Sequence, residues 1–178
     1  MEQEKIIILL SGPTSSGKSD LAIKLAQHFD GEIINADSMQ VYKEISILNS
    51  KPNFEDFKIA KHHLYGFCSV KNKFSTGHWL KMAIKKIEEQ WSNRQIPIVV
   101  GGTGLYFKAL TNGLVEIPNI PENVRKKIRK LHNKIGQKNF YNQLIALDPL
   151  AKKHLSSFDS QRSMRAYEVK KFTNKSLF

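Results

Sequence analysis

Residues 12–19 read Gly-Pro-Thr-Ser-Ser-Gly-Lys-Ser and match G-x-x-x-x-G-K-[ST] at every fixed position. This pattern constrains the fold more than any other feature of the chain, because it works only as a turn between a strand and a helix. Amides at a helix N-terminus point at an anion, and the helix dipole favours its charge. Gly12 and Gly17 let the backbone close around it. The flanks suit that role. Residues 5–10 (Lys-Ile-Ile-Ile-Leu-Leu) predict a strand buried on both faces, as in a parallel sheet. Leu21, Ala22, Leu25, Ala26 and Phe29 fall on one helical face. The pattern assigns Pro13, Thr14, Ser15 and Ser16 to the cradle, Lys18 to the terminal phosphate and the Ser19 hydroxyl to Mg²⁺.

Further strands are expected at 31–35, 62–68 and 96–100, the last closed by Gly101-Gly102. Helices are expected at 54–61, at 77–92 with Leu80, Ala83, Ile84, Ile87 and Trp91 inward, and from Thr103 to Asn112. Alternating strands and helices predict an α/β fold, a P-loop NTPase-like and mostly parallel sheet with flanking helices. After Gly113 the pattern changes to helices alone: 122–135 with Val124, Ile128, Leu131 and Ile135 inward, then 137–146, 149–156 and 160–172. The expected organisation is a core at 1–113, a basic helical insertion at 114–160, and a start of the return to the core at 161–178.

Charge divides the same way. Residues 1–113 hold 14 lysines and arginines against 11 acidic residues; residues 114–178 hold 14 against five, a net of +9 out of the chain's +12. A polyanionic partner is expected for the second part. Cys68 is the only cysteine, which excludes an internal disulfide and a multi-cysteine zinc site. The acidic start and short apolar run do not form a signal peptide, and no segment is long enough to span a bilayer, so a cytoplasmic protein without membrane contact is expected.

A P-loop does not name a reaction, since nucleotide-binding proteins, ATP-dependent kinases among them, share it. A typical NTPase sets an acid at the end of a hydrophobic strand. Here the strand at 96–100 ends in glycines. The strand at 31–35 leads instead to Asp37, placed to bind a metal or to accept a proton. His62 and His63, adjacent on a strand, point to opposite faces and are expected to be structural. Trp79 and Trp91 are expected in packing.

The ordered set Gly12–Ser19, Asn-Ala-Asp-Ser-Met-Gln-Val-Tyr at 35–42, His-His-Leu at 62–64, Gly-Gly-Thr-Gly-Leu-Tyr at 101–106, Asp-Ser-Gln-Arg-Ser-Met-Arg-Ala-Tyr-Glu-Val at 159–169 and Thr-Asn-Lys-Ser at 173–176 resembles the tRNA dimethylallyltransferases. The resemblance covers essentially the whole chain. Asn174 stands where that family usually has glycine. The resemblance implies transfer of a dimethylallyl group from dimethylallyl diphosphate to N6 of the adenosine 3′ of the anticodon, with diphosphate leaving. It implies that Asp37 is the general base, with Lys18 and Thr14 at the donor. It further implies that Asp37, Ser38, Met39, Gln40, Thr103, Arg125, Gln161, Arg162, Ser163, Met164 and Arg165 contact the anticodon stem-loop of tRNA. The base must leave its stack to reach such a site. A monomer is expected. Family members continue past the position of Phe178, so the isolated chain is expected to be weakly stable, with low or no transferase activity. Two other readings remain open here: a small-molecule or nucleotide kinase, and a non-catalytic tRNA-binding remnant.

Overall fold

The computed structural model describes residues 4–45, 51–115 and 117–178, which divide into two compact units, Met1–Leu114 and Val115–Phe178. In the first unit, β1 (Ile8–Ser11), β2 (Glu32–Asn35), β3 (His62–His63) and β4 (Pro97–Gly101) form one parallel sheet in the order β1-β4-β2-β3. The α/β expectation holds.

Apolar strand residues cover both faces of this sheet. Ile33, Ile98 and Val100 pack with Ala22 and Ala26 of α1 (Lys18–Phe29) and with Ala60, which follows α2 (Phe54–Ile59). Ile34, Ala36 and Val99 point the other way, onto Trp79, Ala83 and Ile87 of α3 (Thr76–Ser92) and Tyr106 of α4 (Gly104–Asn112). β2 and β4 are buried throughout because each has a strand on both sides and a helix layer over both faces.

Three expectations shift. β1 covers Ile8–Ser11 rather than 5–10 and alternates half-buried with exposed residues, because among the described residues it pairs on one side alone. The strand expected at 62–68 ends at His63; Leu64 turns into the left-handed region at φ 62°, and a single bridge, Tyr42–Cys68, follows among the described residues. The α3 face turns by one position: Trp79 and Gln90 are buried, and Ile84 is exposed. On α1, the small Ala22 and Ala26 make the closest contact while Leu21 and Phe29 stay exposed. Both tryptophans do pack: Trp79 Nε1 donates to the Asn35 carbonyl at 2.7 Å, and Trp91 Nε1 to the Ile6 carbonyl at 2.7 Å.

The second unit is helical. α5 (Glu122–Leu147) is two helices joined at Gly136, whose φ of 74° and ψ of 163° interrupt the spiral where the sequence predicts a break. α6 (Ala151–His154) is a single turn, shorter than expected, and α7 (Ser160–Thr173) packs along α5. Ile128, Phe140, Leu144, Ala151, Leu155, Ala166 and Tyr167 form its core. Residues 161–178 lie within the helical unit. Val169 and Ala166 are buried there, and Ser176 donates to the buried Asp148 carboxylate at 2.7 Å. Asn174 ends α7 at φ 58°, a conformation that asparagine tolerates better than most residues, so it serves in place of glycine. No helix among the described residues is long and apolar enough to cross a membrane.

The two histidines are structural. His63 Nε2 meets Glu32 Oε2 at 2.5 Å, and Lys61 donates to Glu32 Oε1 at 3.0 Å. Burial acts to raise the Glu32 pKa, but these partners outweigh it and hold the pKa below the usual value. His62 donates from Nδ1 to the Ala60 carbonyl at 2.8 Å and packs on Phe57 and Tyr65; burial lowers its pKa. Both folded-state pKa values are depressed, so both groups stabilise the fold at neutral pH and lose that contribution on acidification. The thermal unfolding midpoint is expected to be flat above pH 7. It should fall as pH drops below 6.5 through His62, and fall again below 4.5 through Glu32. A His62→Asn chain should lack the first step; a midpoint that rises on acidification would contradict this assignment.

Candidate active site

The strand order decides which loops meet. β4 lies between β1 and β2, so the segments after Ser11, Gly101 and Asn35 emerge side by side. Adjacent strands are about 4.8 Å apart, so the loops after β1 and β2 face each other across roughly 10 Å. That gap is wide enough for a diphosphate and a short chain.

On the β1 side, Ser15 and Gly17 adopt positive φ values of 61° and 79°, and α1 begins at Lys18. Successive amides in such a turn form a concave anion site, and the first-turn amides of α1 have no partner inside the helix. Ser16 Oγ donates to the Pro13 carbonyl at 2.9 Å. Lys18 Nζ curls back onto the same carbonyl and lies 3.3 Å from Ser16 Oγ.

On the β2 side, the carrier of Asp37 is itself held by a buried amide. Asn35 Oδ1 accepts from the Asp37 amide at 2.8 Å, and Asn35 Nδ2 donates to the Asp37 and Leu64 carbonyls at 3.0 Å. Trp79, fully buried, binds the Asn35 carbonyl and stacks on Tyr106 at 4.3 Å. Burial pushes the Tyr106 pKa up to about 12, with Tyr42, Asp37 and Cys68 adding to the effect. Asp37 Oδ1 accepts from the Met39 amide at 2.8 Å, which fixes the carboxylate in one orientation.

β4 joins the two sides. A methyl group on Gly101 would sit 2.2 Å from the Ala36 carbonyl carbon and oxygen, so only glycine fits. One on Gly102 would lie 3.4 Å from the Gly12 carbonyl oxygen and 3.7 Å from Asp37 Oδ2, so a single small space borders both loops. Thr103 Oγ1 accepts from the Ser38 amide at 2.9 Å and lies 3.2 Å from Ser38 Oγ. It thus braces the Asp37–Ser38 turn against α4.

A cavity of about 220 Å³ results, lined by Thr14, Ser15, Lys18, Ser19, Asp37, Met39, Gln40, Tyr65, Val100 and Gly101. The structure brings together most of the cradle and pocket residues named from sequence. Tyr65 was missed there. Burial, with the nearby Asp37 charge, raises its pKa, so it faces the cavity as a neutral phenol able to donate a hydrogen bond. Its only sequence signal is its position directly after His-His-Leu.

The remaining predicted residues lie in the helical unit. Gln161 and Arg162 are exposed, and Arg162 is 3.9 Å from Asp159, whose carboxylate caps α7. Met164 is half-buried. Ser163 has no exposed surface; its hydroxyl faces Gln137 Nε2 at 3.4 Å, a packing position. Arg125 and Arg165 both approach Glu168. Lys126, Lys127, Arg129, Lys130 and Lys134 are all exposed on α5. Among the described residues, no group of three or more His, Cys, Asp or Glu side chains could hold a metal ion.

The family model for IPP transferase matches residues 40–178. The chain belongs to the IPP transferase family. A tRNA dimethylallyltransferase of Pelagibacter ubique is 55% identical over 178 residues, all of this chain and 57% of that protein. One from Rickettsia bellii is 48% identical over 176 residues, 99% of this chain and 56% of that protein. Among solved structures, a eukaryotic dimethylallyltransferase acting on tRNA superposes with a TM-score of 0.84 at 32% identity, covering 98% of this chain and 43% of that one. This IPP transferase chain thus spans just over half the length of the bacterial relatives it matches.

Because Asn35 satisfies three backbone groups at this junction, Asn35→Ala should cost about 3 kcal/mol of stability. Urea unfolding measures it; a loss below about 0.5 kcal/mol would contradict the role given to Asn35.

Proposed function

We propose that this chain takes part in transferring a dimethylallyl group from dimethylallyl diphosphate to N6 of the adenosine 3′ of the anticodon in tRNA. The observation that carries the reading is the cavity with an anion cradle on one wall and the Asp37 carboxylate on the other. The tRNA dimethylallyltransferases at 55% and 48% identity support it.

The chemistry follows from the residues. The amides of 14–19 and the Lys18 ammonium bind the diphosphate, and Thr14 lines the same wall. Adenine N6 is a weak nucleophile because its lone pair is delocalised into the ring. Asp37 accepts the N6 proton as the N–C bond to the prenyl carbon forms. The C–O bond to diphosphate breaks, and its electron pair leaves with diphosphate, whose growing charge the cradle stabilises. The Met39 amide holds Oδ1 of Asp37, leaving Oδ2 as the proton acceptor. Tyr65 donates a hydrogen bond into the cavity without competing for the proton.

Magnesium fits the chemistry of this wall. The Ser19 hydroxyl lines the cavity as an oxygen donor and would hold the cation beside the diphosphate. When bound, it neutralises charge on the leaving diphosphate. The helical unit, with its net +9, carries the tRNA through Arg125, Gln161, Arg162, Met164 and Arg165. A cytoplasmic site of action, where tRNA is available, belongs to the same reading.

The test is label transfer from dimethylallyl diphosphate to an unmodified anticodon stem-loop, with Mg²⁺ and with the chain in excess over RNA so that slow turnover is counted. Asp37→Ala should lower the rate by about a hundredfold or more while donor binding persists. Transfer that is indifferent to Asp37 would overturn the proposal, as would tight ATP binding with none of dimethylallyl diphosphate.

A further inference from the structure

Glu168 is 5% exposed, in a buried stretch of α7 with Ala166, Tyr167 and Val169, the first two of which belong to the helical core. A carboxylate there is costly unless cations meet it. Two do, from different helices. Arg165, one turn earlier on α7, places Nη1 at 3.4 Å from Glu168 Oε2, and Arg125, from the first turn of α5, places Nε at 4.0 Å from the same oxygen. Arg125 Nε is itself buried with no hydrogen-bond partner among the described residues. The cluster has two guanidiniums and one carboxylate, so it retains one positive charge. Both arginine side chains remain partly open to solvent, at 27% and 37% exposure. Each has five N–H donors, and Glu168 engages only one edge of each.

We propose that Glu168 is a positioning residue for the RNA: it clamps Arg125 and Arg165 together across α5 and α7 so that their outward donors present one preformed site for a phosphodiester. Unclamped, two like charges would spread apart, and each would lose rotamer freedom only on binding RNA. The charge left over, with the exposed lysines further along α5, favours a polyanion over a second protein carboxylate. This inference rests on the function proposed above.

Simple charge counting and positioning predict opposite results, which makes the test sharp. Removing an anion should strengthen RNA binding on Coulomb grounds alone; removing a clamp should weaken it. The probe is an anticodon stem-loop titrated into the 178-residue chain by fluorescence anisotropy, with inorganic phosphate as competitor, alongside ¹⁵N spectra of the arginine Nε–H groups. Glu168→Gln keeps the shape and should weaken stem-loop binding about tenfold, leave dimethylallyl diphosphate binding unchanged, and merge the separate Arg125 and Arg165 Nε–H signals. Glu168→Asp, which keeps the charge but shortens the reach, should weaken binding about threefold even if the glutamine variant fails to fold. Equal or tighter stem-loop binding by the folded variants would overturn this inference alone. Merged arginine signals with unchanged affinity would overturn it too, by giving the clamp a structural role only. Failure of the wild-type chain to bind the stem-loop would overturn the proposed function and this inference with it. Displacement of the stem-loop by millimolar inorganic phosphate would reduce the site to a free-phosphate site and overturn the RNA assignment.

Discussion

Gly101 lies so close to the backbone of Ala36 and Asp37 that no side chain can stand between β4 and the turn after β2. The rest of the site depends on that contact. With β4 pressed against β2 on one side and paired with β1 on the other, the phosphate loop and the carboxylate are positioned by sheet geometry rather than by flexible loops. Sheet hydrogen bonds set the spacing, and residues far apart in sequence, at 12–19, 37 and 101–103, become neighbours.

Crowding backbone at one point concentrates polar groups where water has little access. Each must find a partner inside the protein. Asn35 meets this demand for the Asp37 turn, Trp79 for the Asn35 carbonyl, and Thr103 for the Ser38 amide. These bonds stiffen the turn, so Asp37 is presented in one orientation before any ligand arrives. Preorganisation of this kind is what a proton acceptor needs if it is to act as charge develops.

Much of this was legible in the sequence where a local rule applied. The G-x-x-x-x-G-K-S pattern needs only its own strand and helix, and Gly136 marks its own break in α5. What was not legible depended on distant partners. β1 reads as a doubly buried strand but lies at the sheet edge, and nothing within residues 5–10 encodes how many neighbours it has. The inward face of α3 shifts by one position because Trp79 is recruited to the Asn35 carbonyl 44 residues away in the chain. Tyr65 carries no motif and becomes visible only as a wall of the cavity. Ser163 directly follows the exposed Gln161 and Arg162, yet its helix turns it into the core.

The two units differ in charge, a nearly balanced sheet unit and a strongly basic helical one, and the proposed function would assign the diphosphate to the first and RNA to the second. Amide chemical-shift mapping with inorganic diphosphate tests that division most directly, because a small anion can report its own preferred site. The account predicts shifts concentrated at residues 14–19, with smaller ones at Asp37, Met39 and Gly101. Shifts concentrated instead on α5 and α7, with the loop at 14–19 unmoved, would contradict it.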